Sequence, residues 1–170
     1  MGKRLLPFCA WHRLQLEYVQ SPLVLGGVVT VGALHLAASI CTTRFPQAVD
    51  YRAPGKYRTM LMAKRWNIGT ELQAFEAYLR DYASGPRIMA GDEESSMPDM
   101  DPILTEVVAY RRLTGCAREE AWSVPLGEMA WMNAAYARMQ GAKFSLLTPL
   151  DEAIVGHLKK LKESKLTEAK

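Results

Sequence analysis

Cysteine is scarce in this chain of 170 residues and its count is odd, since Cys9, Cys41 and Cys116 are the only three. A small secreted domain held together by disulfides needs an even set of cysteines, so that class of protein is excluded. Each cysteine lies among apolar neighbours in the sequence, where a free thiol behaves as a small hydrophobic side chain. The sequence therefore predicts buried, reduced thiols in a cytoplasmic protein.

An excess of one charge is also missing, because 21 basic and 18 acidic residues leave a net charge of +3. This charge is too small to indicate a nucleic-acid partner, and none is expected. The acids are unevenly distributed: residues 92–101 contain five acids and no base, and mildly basic segments flank them. Such a run has little to bury and predicts an exposed, flexible acidic loop.

Motifs that bind phosphate or metal are absent from the sequence. Gly26, Gly27 and Gly32 match neither the dinucleotide-binding nor the P-loop glycine pattern. The acidic run lacks the alternating ligands and the central glycine of an EF-hand loop. No nucleophile motif is present either. We therefore expect no cofactor, no metal and no enzymatic activity.

One stretch without charge, 22–41, is long enough to cross a bilayer. Three glycines divide it into shorter pieces, and no belt of aromatic residues flanks it. The first twenty residues mix charges of both signs, which is the wrong order for a signal peptide. The pattern favours a buried core helix and no membrane association, and a membrane span remains the alternative.

Helical periodicity is what the chain does contain, together with 49% hydrophobic residues, which is enough for a core. Thr30, Thr70 and Asp101 are suited to cap helix starts, Pro102 suits a first helical position, and Gly115 suits a helix end. The sequence predicts an all-α, compact bundle of about seven short to medium helices. The predicted helices cover 5–19, 30–43, 56–66, 70–84, 102–113, 117–123, 126–140 and a last segment that begins near 149.

The acidic loop also sets the expected domain organisation. Residues 1–84 form an N-terminal helical block, 85–101 form the flexible loop, and 102–170 form a C-terminal helical block. The two blocks are expected to make one composite domain. The helices 30–43 and 126–140 have the fewest polar residues around their surface. We therefore expect both to be central helices of the bundle.

Two pairs of residues combine cysteine with histidine: Cys9 with His12, and His35 with Cys41. Zinc uses these ligand types, and a small thiol enzyme would also need cysteine near histidine. However, a structural zinc site usually shows two tight pairs of like residues, whereas these pairs are mixed and the second is loosely spaced. Packing in the core is the favoured interpretation, and a Cys/His-dependent enzyme or metal-binding protein remains an alternative.

Methionine and aromatic residues are concentrated near the helix 126–140. Such side chains fill core gaps, and they also form adaptable protein-binding surfaces because they repack at small cost. We expect a partner-binding surface if one side of this helix is uncovered, whereas coverage by the N-terminal helices would make the same residues core. The candidate partner-binding residues are Trp122, Met129, Trp131, Met132, Tyr136 and Met139.

Two stretches carry a resemblance to a known family. The first is Ser21-Pro22-Leu23 with Gly26-Gly27, then 34–41 and the basic-aromatic 44–46; the second is 119–128, which leads into an alanine-rich helix. In the pattern of residue sizes and helix breakers, these stretches resemble tail assembly chaperones of tailed bacteriophages and prophages.

The resemblance implies a mostly helical protein that acts by binding in the cytoplasm of a bacterial host. Its partners would be the tape-measure protein, which the family keeps soluble, and tail-tube proteins. Neither catalytic nor binding residues can be carried over position by position. Self-association into a homo-oligomer is left open.

Overall fold

The computed structural model describes residues 4–52, 60–61, 64, 67–90 and 101–147. Within these ranges the chain is predominantly α-helical and compact, as the sequence predicts. The helices whose bounds lie in the described ranges are α1 (Ala10–Tyr18), α2 (Pro22–Leu25), α3 (Val31–Ile40), α4 (Ile68–Ala83), α5 (Pro102–Thr114), α6 (Arg118–Ser123) and α7 (Leu126–Met139). The two short strands are β1 (Arg87–Ala90) and β2 (Phe144–Leu147).

Helix α5 shows how local sequence sets the helix ends. The Oδ1 atom of Asp101 accepts hydrogen bonds from the backbone N–H groups of Ile103 at 2.8 Å and Leu104 at 3.4 Å. Pro102 occupies the first turn, where its missing N–H is not needed. Gly115 ends the helix in the left-handed region, with φ of 69°. The predicted start and end of this helix are both confirmed.

Two helix starts differ from the prediction. Asn67, and not Thr70, caps α4, because the Oδ1 atom of Asn67 accepts from the N–H groups of Gly69 and Thr70. Helix α1 begins at Ala10 and not near residue 5. The segment before α1 is not helical, and its backbone bonds to a distant part of the sequence: the Leu6 N–H donates to the Cys41 carbonyl at 2.9 Å. A tertiary bond therefore holds the segment before α1, and a local bond from the Cys9 N–H to His12 Nδ1 caps the helix start.

The charge-free stretch 22–41 is divided into two helices. Gly26 and Gly27 have φ values of 82° and 129°, which end α2 and separate it from α3. Thr30 caps α3 as predicted, accepting from Ala33 N–H at 3.1 Å. Helix α3 has only ten residues and buries the side chains on one side of its length. In the part of the chain that the structure describes, no helix is both long and apolar enough to cross a membrane.

Part of the segment predicted as a flexible loop is a strand. Arg87–Ala90 form β1, which pairs antiparallel with β2 so that Arg87 lies opposite Leu147 and Ala90 opposite Phe144. The prediction of loop over 85–101 is therefore wrong for these four residues. Pairing with a segment more than fifty residues away leaves no signal in local composition. The acidic residues 92–100 lie outside the described residues, as do most of the predicted helix 56–66 and all of 148–170.

Two apolar clusters form the core. The first is built around Phe8, Leu16, Leu34, Ile40 and Phe75, and the second around Ile103, Val107, Tyr110, Trp122 and Met129. Trp11 and Leu126 pack against both clusters. Helix α1 contacts α5 and α6, and α4 contacts α7, so helices from both sides of the acidic run pack together.

Gly127 permits a close approach between α7 and the end of α4. A Cβ atom at this position would lie 2.7 Å from the Ser84 carbonyl oxygen and 3.1 Å from that of Tyr82. Because these atoms belong to the backbone, they cannot rotate away. We expect Gly127→Ala to lower the free energy of unfolding by about 1–3 kcal/mol, measured by urea denaturation.

The matched control for this substitution is Gly32→Ala in α3. Its added Cβ would meet nothing closer than the Thr30 Oγ1 atom at 3.8 Å. This variant should be neutral or more stable by up to about 1 kcal/mol, because alanine restricts the unfolded chain. Equal losses in the two variants would contradict the close approach at Gly127.

Candidate functional site

Helix α7 has one buried and one exposed side. Gly127, Met129 and Ala134 are buried. The exposed fractions of the large apolar residues on its other side are 46% for Trp131, 43% for Met132, 39% for Tyr136 and 82% for Met139. The expectation that this helix is central is therefore wrong: among the described residues α4 and α5 pack against α7, and four of its large apolar side chains remain exposed. Helix α3, by contrast, lies in the core as predicted.

The four exposed residues lie on one side of the helix, and we call this side the α7 face: Trp131, Met132, Tyr136 and Met139. Positions 132, 136 and 139 follow the i, i+4, i+7 spacing that places side chains in one row along a helix. Trp131 lies beside this row, and the small, exposed Ala135 lies between. With a rise of 1.5 Å per residue, the α7 face is roughly 12 Å long, about two helical turns.

A polar contact fixes the rotation of α7 about its axis. The Nδ2 atom of Asn133 donates to the Glu106 carbonyl oxygen at 2.9 Å and to the Glu106 Oε2 atom at 2.7 Å. Because a charged acceptor strengthens the second bond, α5 holds α7 in one orientation. The α7 face is therefore presented by an anchored helix.

Charged residues lie at both ends of the α7 face. Glu128 is exposed in the first turn of α7, and Arg138 is exposed in its last turn. On a helical wheel both fall within the exposed arc that contains the apolar row. The surface is thus apolar in the middle, with an acid toward its N-terminal end and a base toward its C-terminal end.

Two of the six candidate partner-binding residues belong to the core. Met129 is fully buried, and Trp122 is 9% exposed. The Trp122 ring stacks on Phe45, with ring centroids 5.8 Å apart and planes 18° apart. Arg118 places its Cζ atom 5.8 Å from the centroid of the same Phe45 ring. Trp122 and Met129 therefore belong to the second core cluster, and the other four candidates form the α7 face.

Cys9 and His12 do come together, at the start of α1. Thr43 follows His12 by 31 residues in the sequence, and its carbonyl oxygen is 2.9 Å from His12 Nε2. A carbonyl can only accept, so Nε2 carries the proton and Nδ1 is the acceptor. The Nδ1 atom is 3.3 Å from the Cys9 sulfur and accepts from the Cys9 backbone N–H at 3.4 Å. His12 thus joins the start of α1 to the chain that follows α3.

The electrostatics of this pair oppose thiolate chemistry. Burial raises the pKa of the Cys9 thiol, and burial lowers the pKa of the His12 imidazole. Both shifts favour the neutral pair over a thiolate with an imidazolium, which an activated cysteine requires. A cavity of about 300 Å³ adjoins the pair and is lined in part by Arg44 and Phe45. The geometry fits a structural hydrogen-bonded pair.

The second Cys/His pair does not complete a metal site. Cys41 is buried in the first core cluster, and burial raises its pKa to about 12. Tyr78 is its neighbour and donates its hydroxyl to the Leu6 carbonyl at 2.7 Å. Among the described residues, no three His, Cys, Asp or Glu side chains are grouped closely enough to hold a metal ion. Two of the three cysteines, Cys9 and Cys41, are buried free thiols, and Cys116 is half-buried and free.

We expect the buried His12 to make stability depend on pH. Unfolded histidine titrates near pH 6.5, whereas burial lowers the pKa of His12 in the native state. Between the two pKa values the unfolded state binds more protons, so stability is full above about pH 6.5 and is lost as pH falls toward the native pKa. Urea denaturation from pH 7.5 to 5 measures this loss.

The control for this prediction is His12→Gln, which keeps a donor toward Thr43 and does not titrate in this range. Its stability should depend less on pH than that of the wild type, and the difference reports His12 alone. Identical pH dependence in the two proteins would show that His12 does not titrate differently on folding.

Comparison with protein-family models, with curated proteins and with solved structures finds no match for this chain.

Proposed function

We propose that this chain is a non-enzymatic binding protein whose α7 face holds an amphipathic helix of a protein client. The observation that carries the proposal is the row of exposed methionine and aromatic side chains on an anchored helix. Single exposed apolar residues are normal on protein surfaces, whereas several large ones along one side of a helix indicate an interaction site.

The chemistry of the α7 face suits a helical client. Methionine is unbranched and flexible, and it repacks against partners of different shape. Tryptophan and tyrosine supply large contact areas and are enriched among the residues that dominate binding energy. An apolar row at i, i+4 and i+7 matches the spacing by which amphipathic helices engage a partner. A client helix with its own apolar row would cover the α7 face along about two turns.

The charges at the ends of the α7 face specify the client further. Glu128 would attract a basic residue of the client, and Arg138 would attract an acidic one. Such rim charges contribute more to orientation and association rate than to affinity. We therefore propose a client helix with a base at one end of its apolar row and an acid at the other.

We further propose that the chain acts in phage or prophage assembly, as a protein like the tail assembly chaperones. A tape-measure protein is a long helical client, and the α7 face offers the kind of surface that would keep one soluble. Tail-tube proteins are the second proposed partner class, and the proposed location is the cytoplasm of the bacterial host. The resemblance at 21–46 and 119–128 supports this assignment.

The neighbouring genes and a co-expression experiment test this assignment. We expect a tail-tube gene upstream and a gene for a very long helical protein downstream. When that long protein is co-expressed with this chain, its soluble fraction should rise clearly above that in cells with an empty vector. A metabolic operon around the gene, or an unchanged soluble fraction, would overturn the phage assignment.

A further inference from the structure

A second cavity lies beside the C-terminal half of α1, and its lining contains no residue of α7. Its volume is about 540 Å³, and its lining combines aromatic rings with carboxylates. The lining residues are Leu14, Gln15, Glu17, Tyr18, Tyr51 and Asp101. They come from α1, from the segment after α3 and from the cap of α5, so the cavity exists only in the folded chain.

Two tyrosine rings form a corner of this cavity. The ring centroids of Tyr18 and Tyr51 are 5.5 Å apart, and their planes are inclined by 51°. The Tyr51 hydroxyl donates to the Oε1 atom of Gln15, which fixes that ring. Tyr18 is 75% exposed and Tyr51 is 41% exposed, so both rings offer surface to a ligand. The face of an aromatic ring carries negative potential and attracts cations.

The charges around the cavity are also favourable to a cation. Glu17 and Asp101 line it, and the Arg13 guanidinium pairs with Glu17 at 2.6 Å. Beside Tyr51, Asp50 pairs with Arg52 at 3.0 Å. Among the described residues, the two carboxylates of the lining and the guanidinium paired with Glu17 leave one net negative charge at the cavity. The Oδ1 atom of Asp101 is held by the first N–H groups of α5, so this carboxylate has a fixed position.

We propose that this cavity binds a monovalent organic cation of the alkylammonium class, with the cation against the Tyr18 and Tyr51 rings and near the carboxylate of Asp101. A hydrated metal ion would gain little from ring faces, and an anion would be repelled by the net charge. An ammonium with alkyl groups uses both the rings and the charge. The site does not depend on the proposed client of the α7 face.

Titration with choline, followed by NMR of the uniformly labelled full chain, tests the site. We expect saturable shifts of the Tyr18 and Tyr51 resonances. The neutral compound 3,3-dimethylbutanol has the same shape as choline without its charge, and it should bind at least fivefold more weakly. A second titration uses N-acetyl-lysine methylamide, which represents a lysine side chain of a protein, whereas choline represents a free quaternary amine. If one of these two cations binds more tightly than the other, it identifies which kind of ligand the cavity prefers.

Three variants locate the interaction. Tyr18→Leu should weaken choline binding about fivefold, while Tyr18→Phe, which keeps the ring, should remain within about twofold of the wild type. Asp101→Asn keeps the helix cap but removes the charge, so it should weaken binding at low salt without unfolding α5. Equal affinities for choline and 3,3-dimethylbutanol, equal losses in the two Tyr18 variants, or no shift at all would each overturn the proposal.

Discussion

Replacing Phe75 with alanine is expected to lower the free energy of unfolding by about 3–5 kcal/mol, the largest effect of any single substitution we propose. Phe75 is 2% exposed and is the buried residue through which α4 joins the first core cluster. Its ring also contacts Tyr78, with ring centroids 5.4 Å apart. Removing it leaves a cavity and weakens the attachment of α4, which in turn packs on α7. Urea denaturation followed by circular dichroism measures the loss.

The matched control is Gln73→Ala, on the exposed side of the same helix. It should change the free energy of unfolding by no more than about 0.5 kcal/mol, because the side chain is exposed and alanine favours helix. Since small domains are stable by only about 5–15 kcal/mol, Phe75→Ala should lose a large share of that stability and unfold at a lower temperature than the wild type. A loss below about 1 kcal/mol would show that α4 is not anchored by this ring.

Replacing both Trp131 and Tyr136 with alanine should weaken the binding of a helical client at least about 100-fold, which corresponds to about 2.7 kcal/mol. These residues are exposed, so the free energy of unfolding should change by less than about 1 kcal/mol. The combination of lost binding with retained stability distinguishes a binding surface from a core. Isothermal titration calorimetry with the proposed tape-measure client measures the affinity.

Val108→Ala provides the control for this double variant. Val108 is an exposed apolar residue of α5, with 58% of its surface exposed, and it lies outside the α7 face. The affinity of the Val108→Ala variant for the client should stay within about twofold of that of the wild type. If both variants bound equally well, or if both lost affinity equally, the α7 face would not be the binding surface.

The helices could be predicted from the sequence where their ends are set locally. Thr30 and Asp101 accept hydrogen bonds from backbone N–H groups within three residues. Gly115 adopts the left-handed backbone conformation that ends α5, which glycine does without steric strain. These interactions need no distant partner, so composition and spacing reveal them. The start of α4 is not fixed by the sequence, because Asn67 and Thr70 are both good caps and the structure shows that Asn67 is the one used.

Features that join distant segments left no trace in the sequence. The pairing of β1 with β2 and the bond from His12 to Thr43 both depend on how the helices pack. The same holds for the cavity formed by Tyr18 and Tyr51, which are 33 positions apart by their numbers in the chain. Neither tyrosine belongs to a motif that would single it out.

The candidate binding surface lies between these two cases. The spacing of Trp131, Met132, Tyr136 and Met139 places them on one side of a helix, but a core stripe has the same period. Tertiary packing decides which side of α7 is covered, and among the described residues α4 and α5 pack against it. Trp122 could not be separated from the others by sequence, because its burial depends on stacking with Phe45.

Site-specific photocrosslinking tests the central claim most directly. A benzoylphenylalanine introduced in place of Tyr136 in the full chain should crosslink to the co-expressed long helical client, and mass spectrometry should locate the crosslink in an amphipathic segment of that client. The same group in place of Val108 should give little or no crosslink. Equal crosslinking from both positions, or a crosslink at Val108 alone, would contradict a binding surface on the α7 face.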